Sequence, residues 1–192
     1  MKVIAFNGSA RINGNTADLI NVVFDELAKY GIETELFQLA GKEIKGCKAC
    51  FGCFNNQDKR CVQNNDGLNE CIAKMIEADG IILASPTYFG NVSSELKALI
   101  DRAGLVSKAN GNLFKRKVGA GIAVVRRAGS IEVLHAINNF FFLSEMIIPC
   151  SSYWNIGYGR EKGQALNDEE GVRTMRILGE NMAWLMGKLN TV

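Results

Sequence analysis

Apolar positions fall into short blocks separated by glycine and polar turns, and their period changes from block to block. Lys2 to Asn7 is a short apolar run closed by Gly8, the pattern of a buried strand. Thr16 to Lys29 then places Leu19, Val22, Val23 and Leu27 on one side of a helix, which Gly31 ends. Glu33 to Leu39 alternates as a second strand, and from Ala40 to Asn65 no period is visible. Asn65 or Asp66 is placed to cap a helix running to Ala78. Gly80 to Ala84 reads as a third strand, Ser93 or Ser94 starts a helix through Asp101 and Arg102, and Val118 to Val125 is a fourth strand. Ser130 to Glu145 is predicted as a helix, Met146 to Cys150 as a short fifth strand, and Asp168 to Leu189 as the closing helix. This alternation of strand and helix predicts an α/β fold, a parallel sheet covered by helices on both faces.

The length, 192 residues, suits a single domain (1–192) with a sizeable core, interrupted by a cysteine-rich insertion at about 40–65. There is no internal repeat or linker to divide it. A net charge of +2 is too small to argue for nucleic acid or a membrane surface, and no apolar run is long enough to cross a bilayer. The N-terminus MKVIAFNGSA is too short an apolar stretch for a signal-peptide core. Six cysteines in such a chain argue for a reducing, cytoplasmic compartment in which thiols bind metal or react rather than pair.

Ligands of open parallel sheets bind beyond the carboxyl ends of the strands. The loop after the first strand is G-S-A-R-I-N-G-N-T. Ser9, Asn13, Asn15 and Thr16 offer side-chain donors, the following helix start offers backbone N–H groups, and Arg11 adds a cation suited to phosphate. It is neither a Walker A loop nor G-x-G-x-x-G. The loop after the third strand is Ser85 to Asn91 (SPTYFGN). In it Pro86 fixes the backbone, Tyr88 and Phe89 supply flat apolar surface, and Gly90 admits close approach of a planar ring. Alone, this loop reads as an aromatic-anchored turn that packs on its own core.

The aperiodic segment contains Cys47, Cys50, Cys53 and Cys61, spaced C-x2-C-x2-C-x7-C. A structureless stretch of this length is unusual unless it is functional or stapled, and a metal centre would staple it. Between Ile44 and Asn65 the basic residues Lys45, Lys48, Lys59 and Arg60 stand against one acid, Asp58, and positive charge lowers thiol pKa. Consecutive x2 steps resemble the run of a ferredoxin more than the separated knuckles of zinc sites. Structural zinc and free packed thiols remain as alternatives.

Three motifs together carry a resemblance: G-S-x-R-x-x-G-N-T, A-D-G-I-I-L-A-S-P-T-Y-F-G-N-V-S and L-K-A-L-I-D-R. They resemble the NADPH-dependent FMN reductase superfamily, over Met1 to about Arg102, and the cysteine motif resembles its iron–sulfur flavoprotein branch. The resemblance implies a flavodoxin-like doubly wound sheet of order 2-1-3-4-5, with the cysteine loop after strand 2. It implies FMN phosphate on Ser9, Arg11, Asn15 and Thr16, with the ring near Pro86, Thr87, Tyr88, Phe89, Gly90 and Asn91. It implies a [4Fe-4S] cluster on Cys47, Cys50, Cys53 and Cys61, and a homodimer or homotetramer. The expected activity is electron transfer between FMN and the cluster, with a ferredoxin-like donor or a small-molecule oxidant. The alternative is an NAD(P)H-dependent FMN or quinone reductase with no cluster, and a third is a zinc-stapled binding module.

After the fourth strand the chain has Arg126-Arg127-Ala128-Gly129-Ser130 where the family often has glycines. Arg127 there is expected over the ring edge or at a pyridine-nucleotide phosphate, with a surface salt bridge or a helix-start contact as the alternative. His135 reads as a packing or surface residue, Gly119 and Gly121 as packing positions, and Asp101-Arg102 as a helix-end anchor. Cys71 and Cys150 read as small buried hydrophobes.

Overall fold

The computed structural model describes residues 1–189. Its strands are β1 (Lys2–Asn7), β2 (Glu33–Gln38), β3 (Gly80–Pro86), β4 (Val118–Val125) and β5 (Ile156–Tyr158). Its α-helices are α1 (Asn15–Ala28), α2 (Gly52–Asn56), α3 (Leu68–Glu77), α4 (Ser94–Ala109), α5 (Ser130–Leu143) and α6 (Glu169–Leu189), with a 3₁₀ turn at Gln164–Asn167. The sheet order is β2-β1-β3-β4-β5, all pairs parallel.

β1, β3 and β4 are buried on both faces, which is why their sequences are nearly continuous apolar runs. On one face Leu19, Ile20 and Val23 of α1 and Met175, Leu178 and Met182 of α6 pack on Val3, Ala5, Ile82 and Ile122. On the other face Ile72 and Met75 of α3, Leu96 and Leu99 of α4, and Ile137 and Phe141 of α5 pack on Ile4, Phe6, Ile81 and Leu83. Each such side chain contributes about 1.5–3 kcal/mol on burial. Gly119 and Gly121 are packing positions: a Cβ would lie 2.8 Å from Cδ1 of Phe141 and 3.0 Å from Cγ2 of Ile137, respectively. Among the described residues no helix is long and apolar enough to cross a membrane.

The fifth strand is displaced from its expected place. Met146–Cys150 makes a single bridge, Val118 to Ile147, in which Ile147 N donates to Lys117 O and Gly119 N donates to Ile147 O. Pro149 has no N–H for the next rungs, so pairing stops there. The chain rejoins the ladder at Ile156–Tyr158, beside Ala123 to Val125. Cys150 consequently lies exposed rather than buried, whereas Cys71 is buried and its thiol is pushed up to about 12 by burial. α4 runs a further two turns past Arg102 because Leu105, Val106 and Ala109 continue its apolar stripe. α5 ends at Leu143 rather than Glu145, which has a left-handed φ of 55°.

β1 passes to the next loop at Gly8, whose N–H donates to Ala84 O of β3 at 2.8 Å. A Cβ at Gly8 would sit 2.8 Å from Ser93 Oγ and 3.1 Å from Ala84 O. Ser93 is itself held, since its hydroxyl caps α4 by accepting from Leu96 N. Gly8→Ala is therefore expected to cost about 1–3 kcal/mol, measured as a lowered denaturation midpoint.

Candidate functional site

At the carboxyl edge of the sheet a cavity of about 280 Å³ opens between four loops. The first loop brings Ser9, Arg11, Asn15 and Thr16, and the loop after β3 brings Pro86, Thr87 and Tyr88. Val124 and Arg126 line it at the end of β4, Gly159 and Arg160 after β5. A larger open hollow of about 710 Å³ lies at the opposite edge, around Asp79, Lys117 and Val118. That edge holds the amino ends of the strands, and open α/β sheets bind ligands at the other.

The first loop is shaped by its own hydrogen bonds. Ser9 N donates to Asn7 Oδ1 at 3.0 Å, and Gln38 at the end of β2 donates from Nε2 to Ser9 O at 2.6 Å. Ser9 Oγ accepts from Arg11 N at 3.1 Å, which leaves its own O–H to donate. Arg11 reaches across the cavity mouth, its Nη1 donating to Arg160 O at 2.9 Å. Asn15 is tied up within the protein, since Nδ2 donates to Glu161 O at 2.9 Å and Oδ1 accepts from Ala165 N at 3.2 Å. Asn13, in a left-handed conformation (φ 53°), is exposed and off the cavity wall. Helix α1 starts at this wall, with Gly14 as its N-cap and no side chain capping it. Its first N–H groups and dipole suit an anion. Asp18, in that first turn, has its carboxyl pushed up by burial, with Lys162 opposing the shift.

The loop after β3 is a tight turn in which Tyr88 N donates to Asn91 O at 2.9 Å and Asn91 N to Tyr88 O at 3.1 Å. Both central residues are left-handed, Phe89 at φ 48° and Gly90 at φ 75°. A phenylalanine there is strained, and the turn leaves its ring fully exposed. Phe89, Gly90 and Asn91 form the tip, while Pro86, Thr87 and Tyr88 form the wall. Thr87 N donates to Val124 O at 2.9 Å, but the buried Thr87 Oγ1 has no protein partner. An orphaned hydroxyl on the wall, an uncapped helix start and Arg11 together fit a ligand with an anionic end and a polar planar end. Gly129 has φ 89°, and a Cβ there would meet Thr87 Cγ2 at 2.9 Å, so the loops after β3 and β4 touch.

Of the two adjacent arginines, Arg126 is on the wall and Arg127 is exposed outside it. Arg126, Gly159 and Arg160 were missed by sequence reasoning. Arg160 follows β5, so the rule that loops at carboxyl ends bind ligands finds it once β5 is correctly placed.

The cysteine segment leaves β2 on the same edge. Cys47 and Cys50 are exposed, Cys53 is buried on α2, and Cys61 is half-buried; all are free thiols. Left-handed residues alternate with the first cysteines, Ala49 at φ 50° and Phe51 at φ 54°, and Gln57 and Lys59 follow at φ 51° and 62°. These turns curl the segment, so that the four cysteines line one small apolar hollow with Phe51, Val62, Leu105 and Val106. Ala49 N donates to Cys47 Sγ at 3.4 Å. Burial pushes the Cys53 thiol up, and nearby Cys61 and Cys50 add to it. Among the described residues no three His, Cys, Asp or Glu side chains converge as ligands of a metal ion. What the donor set offers is four thiols spread around a hollow, which fits a multi-iron core taking one thiolate per iron.

Arg102 closes the floor of that hollow. It is buried, and its guanidinium forms an ion pair with the fully buried carboxylate of Asp66. Nη1 also donates to Lys45 O at 2.9 Å, and Nη2 donates to Gln63 O at 2.8 Å and to Cys61 Sγ at 3.4 Å. Burial alone pushes the Asp66 carboxyl up, but Arg102 and the N–H groups of Lys45 and Leu68 outweigh it and hold it below its ordinary value. For Arg102 burial pulls down, and Asp66 and Cys61 more than restore it. Sequence reasoning read Asp101-Arg102 as a helix-end anchor. The signal it lacked was that Arg102 continues the buried stripe of α4 and meets Asp66 across the fold.

Comparison with known proteins bears on this site. The family model for NADPH-dependent FMN reductase matches residues 1–161. The chain is 40% identical over 190 residues to an iron-sulfur flavoprotein of Methanocaldococcus jannaschii, covering 95% of this chain and 96% of the relative. It is 36% identical over 150 residues to the iron-sulfur flavoprotein of Methanosarcina thermophila, covering 77% and 76% respectively. Among solved structures, RosB with a bound flavin-phosphate intermediate superposes with a TM-score of 0.75 over 100% of this chain and 81% of that one, at 18% identity. A WrbA-like flavodoxin from Agrobacterium tumefaciens does so with a TM-score of 0.64 over 97% of each chain, at 14% identity. These two show the flavodoxin-like fold.

The double hydrogen bond of Asn15 holds the segment after β5 against the first loop. Asn15→Ala strands Glu161 O and Ala165 N, and is expected to cost about 1–3 kcal/mol, read by chemical denaturation.

Proposed function

The chain belongs to the NADPH-dependent FMN reductase family and is an FMN-dependent oxidoreductase, and from that premise we propose that it passes electrons between FMN and a [4Fe-4S] cluster. The observation carrying this reading is the lining of one hollow by Cys47, Cys50, Cys53 and Cys61. The name shared by the relatives of Methanocaldococcus and Methanosarcina supports it. In this reading those four cysteines hold the cluster. The flavin, when bound, supplies two-electron chemistry and the cluster one-electron chemistry.

The protein's part is binding and orientation. The Ser9 hydroxyl, Arg11, Thr16 and the start of α1 take the phosphate, and Asn15 stiffens that wall from behind. Pro86, Thr87 and Tyr88 flank the ring, with the orphaned Thr87 Oγ1 offering a hydrogen bond to its polar edge. Phe89, Gly90 and Asn91 form the rim, Asn13 is a surface donor beside the phosphate loop, and Arg127 flanks Arg126 at the mouth.

The electron donor in this reading is a small acidic ferredoxin-like protein, and the acceptor is a small molecule. Lys45, Lys48, Lys59 and Arg60 are all exposed on the cysteine segment, and such a field steers an acidic partner. The protein works as a homo-oligomer in the cytoplasm, where its thiols stay reduced. A second reading, an NAD(P)H-dependent FMN or quinone reductase, is favoured by Arg126 and Arg160 on the cavity wall, cations suited to a dinucleotide phosphate.

The deciding measurement is the visible spectrum of anaerobically purified protein before and after dithionite. Flavin bands above a broad bleachable iron–sulfur absorption are expected. Flavin bands alone would favour the second reading. Cys50→Ser is expected to lose iron and keep FMN, and loss of both would contradict two separate sites. Reduction by a ferredoxin is expected to slow steeply as ionic strength rises, since exposed charges more than about 10 Å apart are screened at 0.1 M salt. A salt-independent rate in stopped-flow mixing would remove the electrostatic donor site.

A further inference from the structure

The geometry points to Arg102 as the positioning residue of the four-cysteine site: it clamps both ends of the cysteine segment and donates a hydrogen bond to one of its sulfurs. This rests on the cluster reading for its electrochemical part and on the structure alone for its mechanical part.

The mechanical part follows from where one guanidinium reaches. Lys45 O lies two residues before Cys47, and Gln63 O lies two residues after Cys61. Arg102 donates to both from α4, so a segment of low regularity is closed at its neck by a side chain of the rigid core. Asp66 completes the clamp. Its carboxylate takes the guanidinium, Lys45 N at 3.1 Å and Leu68 N at 3.2 Å, which ties the neck to the start of α3. Asn69 adds a second tie, donating to Cys61 O at 2.9 Å and accepting from Cys61 N at 2.8 Å. A lysine at position 102 keeps the charge but lacks the planar fork needed to span two carbonyls, a carboxylate and a sulfur.

The electrochemical part concerns Cys61. A charged N–H donor on a ligating sulfur withdraws electron density and favours the reduced centre, so it raises the potential. Arg102 Nη2 is placed to do this at Cys61 Sγ. The sequence pattern names the four ligands, but not this donor.

The test uses Arg102→Lys and Arg102→Gln, with Asp66→Asn as a milder variant that leaves the arginine in place. Far-UV circular dichroism and FMN content establish that each is folded. In protein stripped of iron, trypsin cleavage at Lys48, Lys59 and Arg60 is expected to speed up at least several-fold over wild type in both Arg102 variants, and less in Asp66→Asn. In iron-loaded Arg102→Lys, an EPR-monitored titration is expected to place the cluster midpoint below that of wild type. Wild-type cleavage rates in folded Arg102 variants, or an unshifted midpoint in Arg102→Lys with full iron, would overturn the assignment. If no Arg102 variant folds, Asp66→Asn decides by the same cleavage assay, and a wild-type rate there overturns it too. Wild-type protein that takes up no iron sinks the cluster reading itself, a result distinct from either.

Discussion

A parallel sheet must be covered on both faces, and the rest of this molecule follows from that constraint. β1, β3 and β4 have no solvent-facing side, so they cannot present polar chemistry along their length. Polar groups are displaced to the strand ends, where crossover connections begin. The carboxyl ends bring together the first residues of α1, the turn after Pro86 and the segments after β4 and β5. The hydrogen bond from Gly8 N to Ala84 O carries the β1–β3 pairing into the start of the first loop.

The loops are pre-shaped rather than adaptable. Asn7, Gln38 and Ser9 form a chain of hydrogen bonds that joins the end of β2 to the first loop. Asn15 binds that loop to the segment after β5. The turn at Phe89 stores backbone strain at an exposed position, the kind of cost that persists where a ring is presented outward. Preorganisation of this sort lowers the ordering entropy that a ligand would otherwise have to overcome.

The cysteine segment solves a different problem. It has little apolar side-chain mass, with Ile44 and Cys53 as its buried points, so packing alone cannot order it. The Arg102–Asp66 pair supplies direction instead. Burying two charges is costly, and such a pair is weak evidence of net stability. Removing one partner leaves the other charged in an apolar setting, which is why the pair commits the segment to a single closed form. Left-handed turns at Ala49 and Phe51 then distribute the thiols around the hollow.

Local pattern was sufficient for most of the scaffold, because apolar periodicity and glycine stops are short-range signals. The first four strands, the layers of helices, the phosphate-loop candidates and the cysteine spacing were all legible in this way. The fifth strand was not, since Met146–Cys150 and Ile156–Tyr158 are both short and apolar, and Pro149 decides between them only through the ladder it cannot join. Arg126 and Arg127 are neighbours of identical type, and only the folded chain shows that the first is on the wall. Asp66 and Arg102 are 36 residues apart, so no local window links them. By itself the sequence determined the strand-and-helix alternation and the residue types at each strand end. Tertiary structure decided which of those residues share a cavity and which charge closes the cysteine neck, because these depend on contacts between segments that packing alone brings together.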